Sequence, residues 1–269
     1  ALQVNTTGGF NTAVGTGSST ENTTASNNTA FGGEAMKKTT TASSNTAVGT
    51  SALACNTTGA TNVALGMQAL KANTTGEHNT AVGHNSLLAN LTANQNVAVG
   101  NYTLDASTAG PNTAVGYCAL SNVTGGAGNV AIGDLAGAQA AMINVTSENN
   151  RAVFGNTSVT NAYVKVAFTV TSDARDKTNF GTVPHGLDFV NKLEPVSFKF
   201  KKSRDNDTPH GDMRYGFKAQ DIMALEGDNP VIIDNEFEDA LKYKGEHLVP
   251  VLVNAIKELT KRIKDLEDK

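Results

Sequence analysis

The chain has 269 residues, 17% of them charged, and a formal net charge of −4, against roughly 25% charge in an average soluble domain. The charge is divided unevenly: residues 1–171 hold six acids and five bases, whereas residues 172–269 hold 19 acids, 16 bases and five of the six prolines. One uniform globular domain is therefore excluded, and neither part, at −1 and −3, has the basic surplus of a nucleic-acid binder.

No apolar run reaches the roughly 20 residues of a membrane helix, so membrane insertion is not expected. No charged segment followed by an apolar core marks a signal peptide. Cys55 and Cys118 are too few for a disulfide framework and read as small buried hydrophobes. The Asn-x-Ser/Thr triplets, as at Asn56, Asn73 and Asn90, follow from a composition rich in Asn and Thr and predict no glycosylation.

Residues 1–137 are dominated by a repeat. The motif Asn-[Thr/Val]-Ala-[Val/Phe/Leu/Ile]-Gly begins at Asn11, Asn28, Asn45, Asn62, Asn79, Asn96, Asn112 and Asn129. The spacing is 17 residues, with a single 16 between Asn96 and Asn112. The fourth position is apolar throughout, from Val14 and Phe31 to Ile132, and the ninth is Met36 or Leu in six of the eight repeats. Two apolar anchors cannot bury a core alone, but stacked coils would align them into two ladders. The fifth position is always Gly, as at Gly49 and Gly66, which fits a turn or a close backbone approach. Ala at the third position, such as Ala47 or Ala64, would face away from its neighbours. Asn-Thr-Thr-Gly at Asn56 and Asn73 marks a return turn. Thr, Asn, Gly and Val dominate without helical periodicity. The pattern therefore predicts a mostly β part, a parallel β-roll or solenoid of strand–turn–strand–turn coils. Charge is scarce because like charges would stack from coil to coil, whereas Asn and Thr ladders can hydrogen-bond. Over residues 10–137 the pattern resembles the head repeats of trimeric autotransporter adhesins and the roll segments of phage tail fibres.

Residues 138–171 read as a β connector. The period fails after Gly137, and residues 138–145 suit a short helix or a loop. Arg151-Ala-Val-Phe-Gly155 reads as a strand, and so does the long apolar-rich run from Ala162 to Thr171.

At the composition break stands Ser172-Asp-Ala-Arg-Asp-Lys177. It is followed by Leu187-Asp-Phe-Val-Asn-Lys-Leu-Glu-Pro-Val-Ser-Phe-Lys-Phe200, by Tyr215-Gly-Phe-Lys-Ala-Gln-Asp-Ile222, and by Leu248-Val-Pro-Val-Leu-Val-Asn-Ala-Ile-Lys-Glu-Leu259. This ordered set resembles the endosialidase-type intramolecular chaperone, a self-cleaving trimeric domain at the C-termini of phage tail fibres and tailspikes. The resemblance covers residues 172–269 and implies a small α+β domain. It also implies autoproteolysis between Thr171 and Ser172, with Ser172 as nucleophile and Lys177 as general base. The chemistry is coherent: a serine hydroxyl needs a neighbouring base, and a lysine acts as one only when its pKa falls from about 10.4. Arg175 would help that fall, while Asp173 and Asp176 would oppose it. An oxyanion donor is also required, and the sequence does not identify one.

Val249, Leu252, Ile256, Leu259, Ile263 and Leu266 are spaced 3-4-3-4-3, a short coiled-coil seam with Val/Ile at a and Leu at d. A helix packed back on its own domain is the alternative. The seam chemistry favours two strands, whereas the resemblance implies three, and three is expected because shaft and domain would trimerise together.

The expected function is a virion tail-fibre segment for host attachment, a homotrimer whose C-terminal domain aligns three chains and then cleaves itself off. Its expected partners are its own copies and a host-surface glycan or protein. A trimeric surface adhesin and a glycan-degrading tailspike are the alternatives. The tailspike reading is weakened because Glu21, Glu34, Glu77, Asp105, Asp134 and Glu148 sit at different repeat offsets and form no facing pair. His78, His84, His185, His210 and His247 show no ligand spacing, so neither metal nor cofactor is expected.

Overall fold

The computed structural model describes residues 1–139, 143–159, 162–165, 172–236 and 240–269. The chain divides into two compact units, Ala1–Val159 and Thr160–Lys269.

The first unit is a parallel β-solenoid. Each 17-residue coil contributes one three-residue strand: β1 (Thr12–Val14), β2 (Thr29–Phe31), β3 (Thr46–Val48), β4 (Val63–Leu65), β5 (Thr80–Val82), β6 (Val97–Val99), β7 (Thr113–Val115) and β8 (Val130–Ile132). Neighbouring strands pair in parallel with equivalent positions aligned, Ala47 beside Ala64 and Ala64 beside Ala81. Among the described residues the expected second strand of each coil is absent. The residues around the ninth position form turns instead, and Leu53 there has φ +53°. A left-handed residue bends the chain away from any extended path. These turns still bond from coil to coil, as where the Leu53 N–H donates to the Ala69 carbonyl at 2.9 Å.

The core corrects the sequence reading at one column. The ninth-position anchors Met36, Leu53, Leu70, Leu87, Leu104 and Leu120 are fully buried, as expected. The fourth-position residues, however, lie outward, with Phe31 55% exposed. Third-position alanines such as Ala47, Ala64 and Ala81 are fully buried instead. Strand alternation sends third and fourth positions to opposite faces. The coil interior already holds a leucine and an alanine from its turn side, Leu70 and Ala69 in one coil. The strand facing them has room only for a methyl group in a close-packed interior.

Asparagine at the first position bridges coils with both ends of its amide. The Asn62 Oδ1 accepts the Asn79 N–H at 2.9 Å, and the Asn62 Nδ2 donates to the Gly76 carbonyl at 2.8 Å. The acceptor half of this pattern runs without a break from Asn11 to Asn129. Threonines add a second ladder, with the Thr57 Oγ1 donating to the Thr74 carbonyl at 3.0 Å. Gly66 has φ +135°, and a Cβ there would lie 2.5 Å from the Gly83 oxygen. Its invariance across coils has both a conformational and a steric cause.

Beyond Gly137 the described residues of the 138–145 stretch include two short strands, not the expected helix or loop. β9 (Ala138–Gln139) and β10 (Ile143–Asn144) pair antiparallel. The chain then resumes the roll: β11 (Ala152–Phe154) pairs in parallel with β8, Val153 beside Ala131. The Arg151 N–H donates to the Asn129 Oδ1 at 2.9 Å, across 22 residues instead of 17. Of the expected strand over 162–171, residues 162–165 are irregular and 166–171 lie outside the described residues. Cys55 and Cys118 are free and half-buried, not buried.

The second unit is a small α+β assembly. It contains α1 (Leu187–Val190), the antiparallel pair β12 (Val196–Ser203) and β13 (Asn206–Gly216), α2 (Ala219–Glu226), the short pair β14 (Ile233–Asp234) and β15 (Lys242–Tyr243), and the terminal α3 (Leu248–Glu267). Phe189, Ile222, Ile232, Ile233, Leu248 and Val251 form its core. Pro250 sits in the first turn of α3, where a missing N–H breaks no helical bond.

Two apolar faces run along α3. Leu248, Val251 and Ala255 are buried against the unit itself. On that side the Asn254 Nδ2 donates to the carbonyls of Val183 and His185 at 3.2 and 3.3 Å, and a Glu258 carboxylate oxygen accepts the Leu187 N–H at 2.8 Å. The spaced set Val249, Leu252, Ile256, Leu259, Ile263 and Leu266 is exposed along its length. The helix thus packs back on its own domain, but through residues other than the seam.

Candidate functional site

The site grows from one tight turn. Residues 174–176 form a single 3₁₀ turn, capped by Asp173. An Asp173 carboxylate oxygen accepts the Arg175 N–H at 2.9 Å, satisfying a donor the turn leaves free. The Lys177 N–H closes the turn on the Ala174 carbonyl at 3.2 Å. This reverses the chain and returns Lys177 to Ser172, five residues earlier. The Lys177 Nζ donates to the Ser172 Oγ at 2.7 Å. Both residues are exposed.

The charges beside this pair differ from the sequence expectation. Arg175 is turned toward Asp173 and not toward the lysine, with its Nε 3.1 Å from each Asp173 carboxylate oxygen. The Arg175 guanidinium, joined by the Arg175 backbone N–H, holds the Asp173 carboxyl below the usual carboxylate range. Arg175 is raised in return by the same contact. The two charges neutralise each other, so Asp173 acts as a cap for the turn that carries the lysine.

Ser172 and Lys177 line a cleft of about 1000 Å³ in the second unit. Val183, Pro184, Val231, Ile232, Pro250 and Val251 form its apolar wall. Glu226, Glu246 and His247 also reach it. Glu226 is committed to structure: its carboxylate accepts the N–H groups of Val231, Ile232 and Ile233 at 2.9, 2.8 and 3.1 Å. The Lys177–Ser172 hydrogen bond lies in this cleft together with Glu246 and His247. These wall residues come from three segments between 183 and 251, and no short-range spacing in the sequence announces them. Thr171, on the other side of the expected scissile bond, lies outside the described residues.

Residues 172–230 match the family model described as chaperone of endosialidase. This segment is thus similar to chaperone-of-endosialidase domains. Ser172 is the first residue of the match, and the capped turn, Lys177, α1, the β12–β13 pair and α2 all fall within it. The match ends before α3, so the exposed helix face lies beyond the matched chaperone segment. No curated protein and no solved structure matches the chain.

Proposed function

We propose that this chain is a phage tail-fibre segment whose C-terminal chaperone domain brings three copies into register and then cuts itself from the roll between Thr171 and Ser172. The observation that carries this reading is the 2.7 Å contact of Lys177 Nζ with Ser172 Oγ, placed at the first residue of the chaperone-of-endosialidase match.

Lys177, as general base, takes the hydroxyl proton of Ser172. The Ser172 Oγ attacks the carbonyl carbon of Thr171 and forms a tetrahedral intermediate. The C–N bond to Ser172 breaks, and its nitrogen leaves as an amine with the proton returned by Lys177. An ester joins Thr171 to the Ser172 Oγ. Water then opens that ester, giving a Thr171 carboxylate and the free hydroxyl of a new N-terminal Ser172. One turnover occurs per chain.

The order of events has a physical basis. A β-solenoid depends on pairing across coils and on chain register, so it is slow to form and exposes strand edges meanwhile. A charged domain with a helical seam can gather copies first. Cutting afterward makes loss of register effectively one-way and leaves a kinetically stable fibre. The roll serves in attachment, its ligand being a glycan or protein of the host surface. The virion tail is the matching location.

Intact-mass measurement of freshly expressed protein tests the reading, under native and denaturing conditions. Denaturing spectra should show a fragment beginning at Ser172, and native spectra a three-chain mass. Only full-length chain after several days would sink it.

A further inference from the structure

From Lys177 to Gly186 the chain runs without regular structure and is exposed over most of its length. This stretch starts at the lysine of the site, and its Val183, Pro184 and His185 line the cleft that holds Ser172 and Lys177. Phe189 is the first buried side chain after Lys177. A solvated stretch with so little packing has a poorly fixed path of its own. Among the described residues, the hydrogen bonds that tie it to anything beyond α1 and its own turn come from α3. The Asn254 Nδ2 donates to the carbonyls of Val183 and His185 at 3.2 and 3.3 Å. Just past its end, a Glu258 carboxylate oxygen accepts the Leu187 N–H at 2.8 Å. Gly186 makes room for that carboxylate, since a Cβ there would collide with it.

We infer that Asn254 and Glu258 are positioning residues for the self-cleavage. They clasp the 183–187 stretch to α3, and the clasp keeps the cleft around Ser172 and Lys177 in shape. The inference rests on the cleavage proposed above. It adds that the matched segment does not hold its own site together, because both clasp residues lie beyond residue 230.

The chemistry of the clasp suits the task. Asn254 and Glu258 are four residues apart and so share one face of the helix. The same helix supplies Pro250 and Val251 to the cleft wall. A carboxamide nitrogen carries two hydrogens, one for each of the two carbonyls. Neither clasp residue is bonded to Ser172 or Lys177, so both act through the backbone they hold. The tolerance at the reacting atoms is narrow: a displacement of about 1 Å costs roughly a hundredfold in rate.

Cleavage of the full chain, followed by denaturing mass spectrometry, tests the clasp. Asn254→Asp keeps the shape but sets an acceptor against two carbonyls. It should slow cleavage about tenfold or more, as should Asn254→Ala. Glu258→Ala should slow it severalfold. Glu258→Gln keeps an accepting oxygen and should stay within about twofold of wild type. Arg262→Ala is the control. It removes a different link from α3 to α1, the Arg262 Nη2 at 3.7 Å from an Asp188 carboxylate oxygen, and Asp188 does not line the cleft. Its rate should match wild type. Stability is read apart from rate, by thermal melting of each variant in the Ser172→Ala background. Wild-type rates in both Asn254 variants overturn the inference and leave cleavage standing. Equal slowing in Arg262→Ala, or slowing that only tracks the loss of melting temperature, also overturns it and reduces the contacts to helix docking. A wild-type chain that stays uncut defeats both readings.

Discussion

Lys177 Nζ lies 2.7 Å from Ser172 Oγ because a capped turn of three residues folds the lysine back on the serine. The contact has the geometry of a nucleophile and its base. Ser172→Ala and Lys177→Ala should each leave the chain uncut, with cleavage slowed by about a hundredfold or more. Lys177→Arg keeps the charge and the reach but cannot give up its proton, so it should be as inactive as the alanine variant. Denaturing mass spectrometry over time reads all three. Cleavage of Lys177→Arg at the normal rate would make the lysine a mere hydrogen-bond donor.

Asp173 caps the turn that leads to Lys177. Asp173→Ala should remove the cap and slow cleavage roughly fivefold. Asp173→Asn keeps a capping oxygen and should slow it less. The Arg175 contact depresses the Asp173 carboxyl in the folded chain. Its contribution is therefore fully present above the ordinary carboxylate range and is lost only as pH falls through the depressed value. The ratio of wild-type to Asp173→Asn cleavage rates should stay flat between pH 5 and pH 8. A ratio that changes severalfold across that window would assign Asp173 a proton-transfer role.

Asn62 is buried, and its amide uses both its acceptor and its donor between coils. Asn62→Ala leaves the Asn79 N–H and the Gly76 carbonyl without that partner and should cost about 1–3 kcal/mol. Asn62→Asp keeps the acceptor but buries a charge facing a carbonyl, and should be worse. Thermal melting at one fixed scan rate would rank them. A melting point for Asn62→Asp equal to wild type would show that the donor half of the bridge is dispensable.

The repeat made the solenoid readable from the chain, since period, glycine and asparagine each have one structural explanation. The inward face was harder to read. Alternation says that Ala64 and Leu65 point opposite ways, but not which points in, and hydrophobicity alone chooses the leucine. The answer lies in the width of the coil interior, which is fixed by Leu70 and Ala69 on the far side. The ninth strand was hidden for a different reason. The β9–β10 pair lengthens the spacing to 22 residues, and Arg151 stands in the asparagine place. The Ser172–Lys177 contact was within reach of the sequence because both residues lie in one short segment. The cleft around them was not, because Val183, Val231 and Val251 meet only through tertiary packing.

Asp105 offers a pH test of the roll. Partial burial lifts its carboxyl above the ordinary range, although its own N–H and that of Ala106 pull it down. The folded chain thus holds the Asp105 proton more tightly than the unfolded chain does. From this group, stability falls as pH rises from the unfolded value of about 3.9 through the raised folded value, and is level above it. Asp105→Asn removes that penalty and should raise the melting temperature slightly at pH 7, solvent screening keeping the gain small. The gain should vanish near pH 3. An equal gain in melting temperature at both pH values would point to packing and not to charge.

The two apolar faces of α3 differ in burial. Val251 is buried in the domain core, whereas Ile256 is 64% exposed on the spaced seam. Val251→Asp buries a charge with no partner designed for it and should unfold the second unit, at a cost of about 3 kcal/mol or more. Ile256→Asp with Ile263→Asp should leave far-UV circular dichroism unchanged, since both side chains are solvated in a single chain. The same double variant should reduce the native mass to one chain, because three aspartates would meet at each layer of the seam. If cleavage needs the assembled state, it should also slow in proportion to the lost trimer. Retention of the three-chain mass by Ile256→Asp/Ile263→Asp would move assembly away from α3. Register would then have to be set elsewhere, as by the exposed aromatic side chains of β12 and β13, Phe200 and Tyr215.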